Sequence, residues 1–499
     1  MNKLANNIFS TSQENLQSDT TYFPSDINAL RDFLINCNEN SIKVYPISRG
    51  YNWGLGASEP VDKSCRVINL RKLNDIHELN LEEGFVSIGP GVTQGELSDL
   101  LIDTEYMIDV TGSSRDTSII GNALERGITY KGLRVESVIG LEVMLPNGEI
   151  IHTGSTRFNE WKVKNHYQHG VGADLTSLFF QSNFGVVTKM TYRLTRKKKY
   201  QVYIKLNFHN EEKLFESMSS FNNLIKYDII DSVYHIANSQ RAVNAMLPEI
   251  YRNENVSKKN IQRLLKIALS SEWTSSGILT ADDKTVLKYK IKKLRKSLSS
   301  YARVEVLTQT KLSFLQKLVK SFGLSSFYAF IKCIRSLMNL YNGQSTNIAL
   351  GAVLTNDEYK ESKNLSEQVE KSSRGFSYCL PLTKLNQESA EEMVKTIKAI
   401  CQTYELDPSI TLNPISYMVL EAVVSVEYDK SQFTKAHNCI RELQKTLNHQ
   451  GHISYRTNIN DMDLYLEKGP YMDVLRSIKD SFDPNAIISP GRYLPEKSS

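Results

Sequence analysis

Long apolar runs are the first thing this chain lacks. No stretch reaches the roughly 18 apolar residues of a membrane-spanning helix. The opening residues MNKLANNIFSTSQEN hold no hydrophobic segment of the secretory kind. Both absences predict a cytoplasmic protein with no membrane partner. Cysteine is scarce as well: its 6 copies (Cys37, Cys65, Cys333, Cys379, Cys401 and Cys439) lie far apart, without a CxxC pair. That pattern suits free thiols in a reducing compartment better than a disulfide framework or zinc. Charge of one sign is nearly absent: 60 basic residues face 55 acidic ones, an excess of +5 over 499 residues. So small an excess does not call for a nucleic acid. His166 and His169 form an H-x-x-H with no third ligand nearby, so no metal is expected. The spacings G-x-G-x-x-G and G-x-x-x-x-G-K-[ST] are missing too, which argues against Rossmann and P-loop sites.

What is present is an ordinary globular balance, 40% hydrophobic and 23% charged, in a chain long enough for two or three domains. Short apolar runs at Val44–Ile47, Val67–Leu70, Val86–Ile88, Leu141–Leu145 and Val186–Leu194 read as strands. Ser25–Cys37 and Thr93–Leu101 read as capped helices. The Asn-Gly pair in Leu145-Pro-Asn-Gly-Glu-Ile150 predicts a hairpin. This is an α+β region without the regular strand–helix repeat of a doubly wound sheet. The basic run Arg196-Lys-Lys-Lys199 marks its exit as a solvated linker. A second α+β domain follows, interrupted over about 255–340 by a stretch that reads as helical and basic. Leu287, Ile291, Leu294 and Leu298 recur there at helical spacing, so the lysines between them face outward.

Three segments carry chemistry. Pro46-Ile-Ser-Arg-Gly-Tyr-Asn-Trp-Gly-Leu-Gly56 follows a strand and packs three glycines into a short loop. Such a loop brings successive N–H groups close to a pyrophosphate. In Asp109–Gly127, small polar residues give way to Ile119-Ile-Gly-Asn-Ala123, where Gly121 and Ala123 leave room for a flat ring system. In Gly172–Met190, Gly185-Val-Val187 reads as a strand that approaches a ligand with its own backbone.

In this order and spacing the three segments resemble the FAD-binding domain of the vanillyl-alcohol oxidase and p-cresol methylhydroxylase family. Ser118–Gly127 is similar to its S-x-x-G-N-A-x-E-R-G segment, and Leu178–Met190 to its L-F-x-Q-S-N-x-G-x-V-T-K segment. Gly89-Pro-Gly-Val-Thr93 and the closing Phe482–Arg492 are further matches. The resemblance covers residues 23–195 well and 375–495 more loosely. It implies a two-subdomain FAD-binding domain over 20–198, a substrate domain over 199–478 with the insertion, and a C-terminal segment, 479–499, returning to the first domain. It implies FAD held by Ser48, Arg49, Gly50, Tyr51, Asn52, Trp53 and Gly54, by Gly112, Ser113, Ser118, Ile119, Gly121 and Asn122, by Gly185, Val186 and Val187, and by Arg492.

Gly451-His-Ile-Ser-Tyr-Arg-Thr457 resembles the family's Tyr-Arg-Thr motif. That resemblance implies that Tyr455 donates to a substrate oxygen and that Arg456 stabilises that oxygen's anion or the reduced flavin. The implied activity is oxidation of a small phenolic or alcohol-bearing molecule, with oxygen or a protein as electron acceptor and a homodimer as a common state. Two departures stand out. Phe376 falls where the family places a flavin-linking His, with Tyr378 and Cys379 nearby, so non-covalent FAD is expected. Near Thr111–Gly112, where phenol-oxidising relatives place an Asp, the nearest acids are Asp109 and Asp116. His166, His169, His235 and His452 are further candidate bases, and strand alternation would turn His452 away from Tyr455. Two readings compete: a sugar- or hydroxy-acid-oxidising flavoprotein of the same fold, and a basic-helix binding module with a vestigial flavin site.

Overall fold

The computed structural model describes residues 21–251, 259, 261–262, 271–322, 325–465 and 469–494. The opening segment read for a secretory signal, parts of the 255–340 insertion and the last five residues lie outside this range. Among the described residues, no helix is long and apolar enough to cross a membrane.

Local signals in the first 200 residues produce the elements they predict. Asp26 caps the helix Ile27–Glu39 by accepting from Ala29 N, and Leu30, Leu34 and Cys37 form its buried stripe. Thr93 and Glu96 close a capping box on the helix Gln94–Leu100. The Asn-Gly turn joins Val138–Met144 to Ile150–His152, with Gly148 at φ +82°. Strands Thr21–Tyr22, Arg66–Asn69 and Val44–Ile47 make a small parallel sheet in that order. A 5-stranded antiparallel sheet runs Ile76–Asn80, Phe85–Ile88, Val186–Arg193, Val138–Met144, Ile150–His152. The C-terminal segment returns to this half: Ile487 and Ile488 pack with Leu30, Val44 and Ile68.

The second half is an 8-stranded antiparallel sheet. Its order is Ala302–Leu307, Tyr200–Phe208, Trp273–Ala281, His235–Asn238, Ser409–Pro414, Val419–Asp429, Arg374–Cys379, with Leu382–Lys384 also on Val419–Asp429. Two of these strands, Trp273–Ala281 and Ala302–Leu307, correct the expectation of an all-helical insertion. Between them the helix Lys284–Leu298 does bury Leu287, Leu294 and Leu298, and the intervening lysines remain outside.

Side chains alternate across a strand, and here the alternation is sharp. Val202, Ile204 and Leu206, Ile236, Ile410 and Leu412, and Leu420, Ala422 and Val424 all point to one face, where helices cover them in a single apolar core. The residues between them must point the other way. That second face looks toward the first half of the chain, and the space between is the site.

Candidate active site

A cavity of about 540 Å³ lies between the two halves, the size expected for a cofactor or drug-sized ligand. One wall is the free face of the large sheet. It presents Tyr203 and Lys205, His235, Ser276, Thr411 and Asn413, Glu421 and Val423, and Phe376 and Tyr378, strand by strand. The opposite wall is backbone-rich: Ser48–Trp53, Thr111–Ser114, Ser118, Gly121, Asn122 and Gly185–Val187. Arg492, Tyr455 and Arg456 complete it.

The loop 48–53 therefore lines the cavity. Gly50 has φ +79°, and a Cβ at Gly121 would stand 3.1 Å from Ser48 Oγ, so both positions favour glycine. Two expected site residues are placed otherwise. Gly54 packs behind the wall, where a Cβ would come within 2.7 Å of the Tyr378 ring. Ile119 points into the apolar core of the first half.

Tyr455 and Arg456 sit in a connected polar network. Arg456 Nη2 donates to Asn52 Oδ1 at 2.6 Å, tying the Tyr-Arg-Thr segment to the glycine-rich loop. Glu125 lies 3.7 Å from Arg456 Nε and also accepts from Arg492 and from the Tyr493 hydroxyl. Those two arginines hold the buried Glu125 carboxyl below its ordinary pKa against the cost of burial. Arg492 is thus a cavity residue whose charge is spent largely on Glu125.

On the other side, the Tyr455 hydroxyl shares a hydrogen bond with Glu421, and Asn413 Nδ2 donates to Glu421 Oε2 at 2.7 Å. Glu421 is wholly buried, and desolvation pushes its carboxyl up to about 7. Burial raises the Tyr455 hydroxyl further, so it remains a donor at neutral pH. Glu421 escaped the sequence reading. Its only local signal is an acid in the apolar strand Val419–Asp429, between Leu420 and Ala422, which face the helices.

The remaining candidates separate cleanly. His235 lines the cavity beside Asn413 and Tyr130, and desolvation lowers its pKa to about 4, so it is neutral. His452 is buried elsewhere, with Nδ1 2.9 Å from Thr383 Oγ1. His166 and His169 lie near Glu83 and Asp174, outside the cavity wall. Asp109 accepts from Thr195 and Asp116 from Ser366; neither lines the cavity. Cys379 belongs to the helix-side core of the sheet, where burial pushes its thiol up to about 12. Alternation thus removes it as a flavin linker and leaves Phe376 and Tyr378 at the wall.

Residues 19–154 match the FAD binding domain family. The chain is 24% identical over 489 residues to 1'-carboxy-chondrochloren decarboxylase of Chondromyces crocatus, covering 91% of this chain and 86% of that protein. It is 24% identical over 478 residues to the 4-cresol dehydrogenase (hydroxylating) flavoprotein subunit of Pseudomonas putida, covering 91% and 84%. Among solved structures, 4-ethylphenol oxidase from Gulosibacter chungangensis superposes with a TM-score of 0.81 at 19% identity, covering 99% of this chain and 93% of that one. For p-cresol methylhydroxylase with substrate bound, the TM-score is 0.76 at 20% identity, with 99% and 97% covered.

Domain and site together define an FAD-linked oxidoreductase. Its fold is the one shared by 4-ethylphenol oxidase and p-cresol methylhydroxylase, as the sequence motifs implied.

The residues present fit FAD. The cavity is long enough to continue from the glycine-rich loop to the sheet. Arg49 lines it at the loop end with its buried Nε lacking a hydrogen-bond partner among the described residues. A guanidinium donor of that kind suits a diphosphate.

Proposed function

We propose that the protein oxidises a small para-substituted phenol, using non-covalently bound FAD. The observation that carries this reading is the Tyr455–Arg456 pair at the cavity wall, backed by Glu421 on one side and Asn52 and Glu125 on the other. When bound, FAD supplies the two-electron acceptor; the chain positions the substrate and manages its charge. The substrate hydroxyl docks against Tyr455 Oη. As it gives its proton to Tyr455, Tyr455 passes its own to Glu421, whose pKa near neutrality suits a transient acceptor. Arg456 faces the resulting phenolate oxygen and stabilises it through a charge-assisted contact. His235 and Asn413 supply neutral polar groups farther along the sheet.

Non-covalent attachment rests on Phe376, which has no atom able to bond the flavin ring, and on the placement of Cys379 away from the cavity. The relatives that span 91% of the chain include one named for cresol and one named for a carboxylated, decarboxylated substrate, so a phenol bearing an acidic side chain lies within the reading. Residues 20–198 form the FAD-binding unit in this proposal, 199–478 the substrate unit and 479–499 the returning segment. Reoxidation falls to oxygen or a redox protein, in the cytoplasm.

The test is rapid mixing of the oxidised protein with phenols, benzylic alcohols, polyols and hydroxy acids under anaerobic conditions, following loss of flavin absorbance. Reduction by one or more phenols, with none by polyols or hydroxy acids, supports the assignment. Reduction by a hydroxy acid or polyol alone overturns it.

A further inference from the structure

The cavity's charges do not balance. Five basic side chains line it (Arg49, Lys205, Arg241, Arg456 and Arg492) against two carboxylates, Glu125 and Glu421. Glu125 answers Arg456 and Arg492. Lys205 stands directly across the strand pair from Glu305 and feels its charge. Arg49 sits at the glycine-rich loop, where a diphosphate would meet it. Glu421 is engaged by Asn413 and Tyr455. Arg241 remains. Its backbone N–H is capped by Asn238 at the start of the helix Ser239–Tyr251, but its guanidinium has no carboxylate partner among the described residues.

Its surroundings are two side chains of the sheet wall and Tyr130 of the first half, which packs beside Gly112; none belongs to the loop 48–53. The charge of Arg241 is felt by Tyr130, His235 and Tyr378, and Tyr378 also feels Arg456. Tyr378 is therefore within electrostatic reach of both cations. Close to Arg241, the buried side chains of His235 and Asn413 interact with each other, though Nε2 and Oδ1 miss ideal hydrogen-bond geometry. A guanidinium with no carboxylate partner among the described residues, set beside a neutral imidazole, is a recognition surface for a planar anion. Arg241 is half-buried at the cavity wall, and a ligand charge docked there would answer it.

We infer that Arg241 binds a carboxylate carried by the substrate, at the far end of a molecule whose phenolic oxygen rests on Tyr455. This rests on the phenol reading above and narrows it to phenolic acids. His235, neutral and held by Asn413, is its polar neighbour.

The experiment uses flavin-loaded protein and ligands with no oxidisable benzylic hydrogen. These are 4-hydroxybenzoate and 4-hydroxycinnamate, each paired with its primary amide, and unsubstituted phenol. Affinities are read by calorimetry and by the shift of the flavin spectrum. At least one acid should bind roughly tenfold or more tighter than its amide, as expected for a charge-assisted contact. Arg241→Met should bring that acid down to the affinity of its amide, and Arg241→Lys should retain part of the preference. Equal binding of acids and amides to the unaltered protein overturns the inference while leaving the phenol reading standing. So does a preference that survives in Arg241→Met. Loss of flavin from both Arg241 variants assigns the cation to the cofactor and overturns it as well. If neither phenol nor any derivative binds, the phenol reading itself falls, and the inference with it.

Discussion

Asn413 and Glu421 face each other in register across adjacent strands, and the amide of one donates to the carboxylate of the other at 2.7 Å. Burial sets the protonation of this carboxyl, and the bond from Asn413 opposes the shift. A buried carboxyl given one amide and one phenol as partners is under-solvated, and its pKa rises from 4.5 to about 7.

A stability signature follows. Between pH 4.5 and 7 the folded chain holds a proton on Glu421 that the unfolded chain has released, so folding binds protons. The stabilisation is complete at lower pH and is lost as pH rises through 7, amounting to about 3 kcal/mol at most. Glu421→Gln is neutral throughout and should flatten this slope. Thermal melts of both proteins at pH 5.5 and 8 measure it. An unchanged difference between the two pH values in the variant would show that Glu421 is ionised in the native state.

Tyr455→Phe should lower the rate of flavin reduction by a phenol roughly ten- to a hundred-fold, the kinetic equivalent of one charge-assisted hydrogen bond. Flavin content should stay near normal, because the Tyr455 hydroxyl faces Glu421 and not the glycine-rich loop. Arg456→Met should differ. Losing the 2.6 Å contact to Asn52 loosens that loop, so both the reduction rate and the flavin content should fall. Absorbance ratios of the purified variants and stopped-flow traces distinguish the two.

Cofactor attachment has its own check. Precipitation with acid should release all of the flavin into the supernatant, since the ring at position 376 is a phenylalanine and Cys379 lies on the helix side. Flavin that stays with the pellet and maps to Tyr378 would overturn the expectation, because Tyr378, unlike Cys379, lines the cavity.

The FAD half of the fold was legible because its signals are local. A capping box at Thr93, an Asn-Gly hairpin and glycines that need positive φ or close contact each act within a few residues. The second half is held by long-range pairing, and there reading by pattern failed. Trp273–Ala281 occupies an interior position of the large sheet, yet in sequence it sits between helical, lysine-rich stretches that dominate any window. Glu421 and Arg241 were missed for the same reason. Nothing near Glu421 in sequence says that the face opposite Leu420 and Ala422 is a cavity; that is decided by Asn413 and Tyr455, the latter 34 positions away. Tyr455 and Arg456, which do line the cavity, stood out in the sequence only because their motif is contiguous.

Glu125 sits within the S-x-x-G-N-A-x-E-R-G segment and links three parts of the chain. It is a buried anion held by Arg492, by the Tyr493 hydroxyl and by Arg456 at 3.7 Å. It therefore joins the glycine-rich segment, the Tyr-Arg-Thr segment and the C-terminal return. Its lowered pKa means that its contribution is present above the unfolded carboxyl pKa and lost as pH falls through the folded one. Glu125→Gln keeps the shape but leaves two buried guanidinium groups without their counter-charge. Removing one partner of such a group costs about 3–5 kcal/mol, so the variant should melt well below the parent at pH 7. It should also lose flavin, because Arg456 would no longer be held against Asn52. Glu125→Asp keeps the charge on a shorter arm and should fall between the two. Melting curves and flavin occupancy of both variants, measured with and without added FAD, provide the check. A Glu125→Gln protein that retains its flavin and melting temperature would mean that Arg456 and Arg492 are positioned by their other contacts alone, Asn52 and Tyr45.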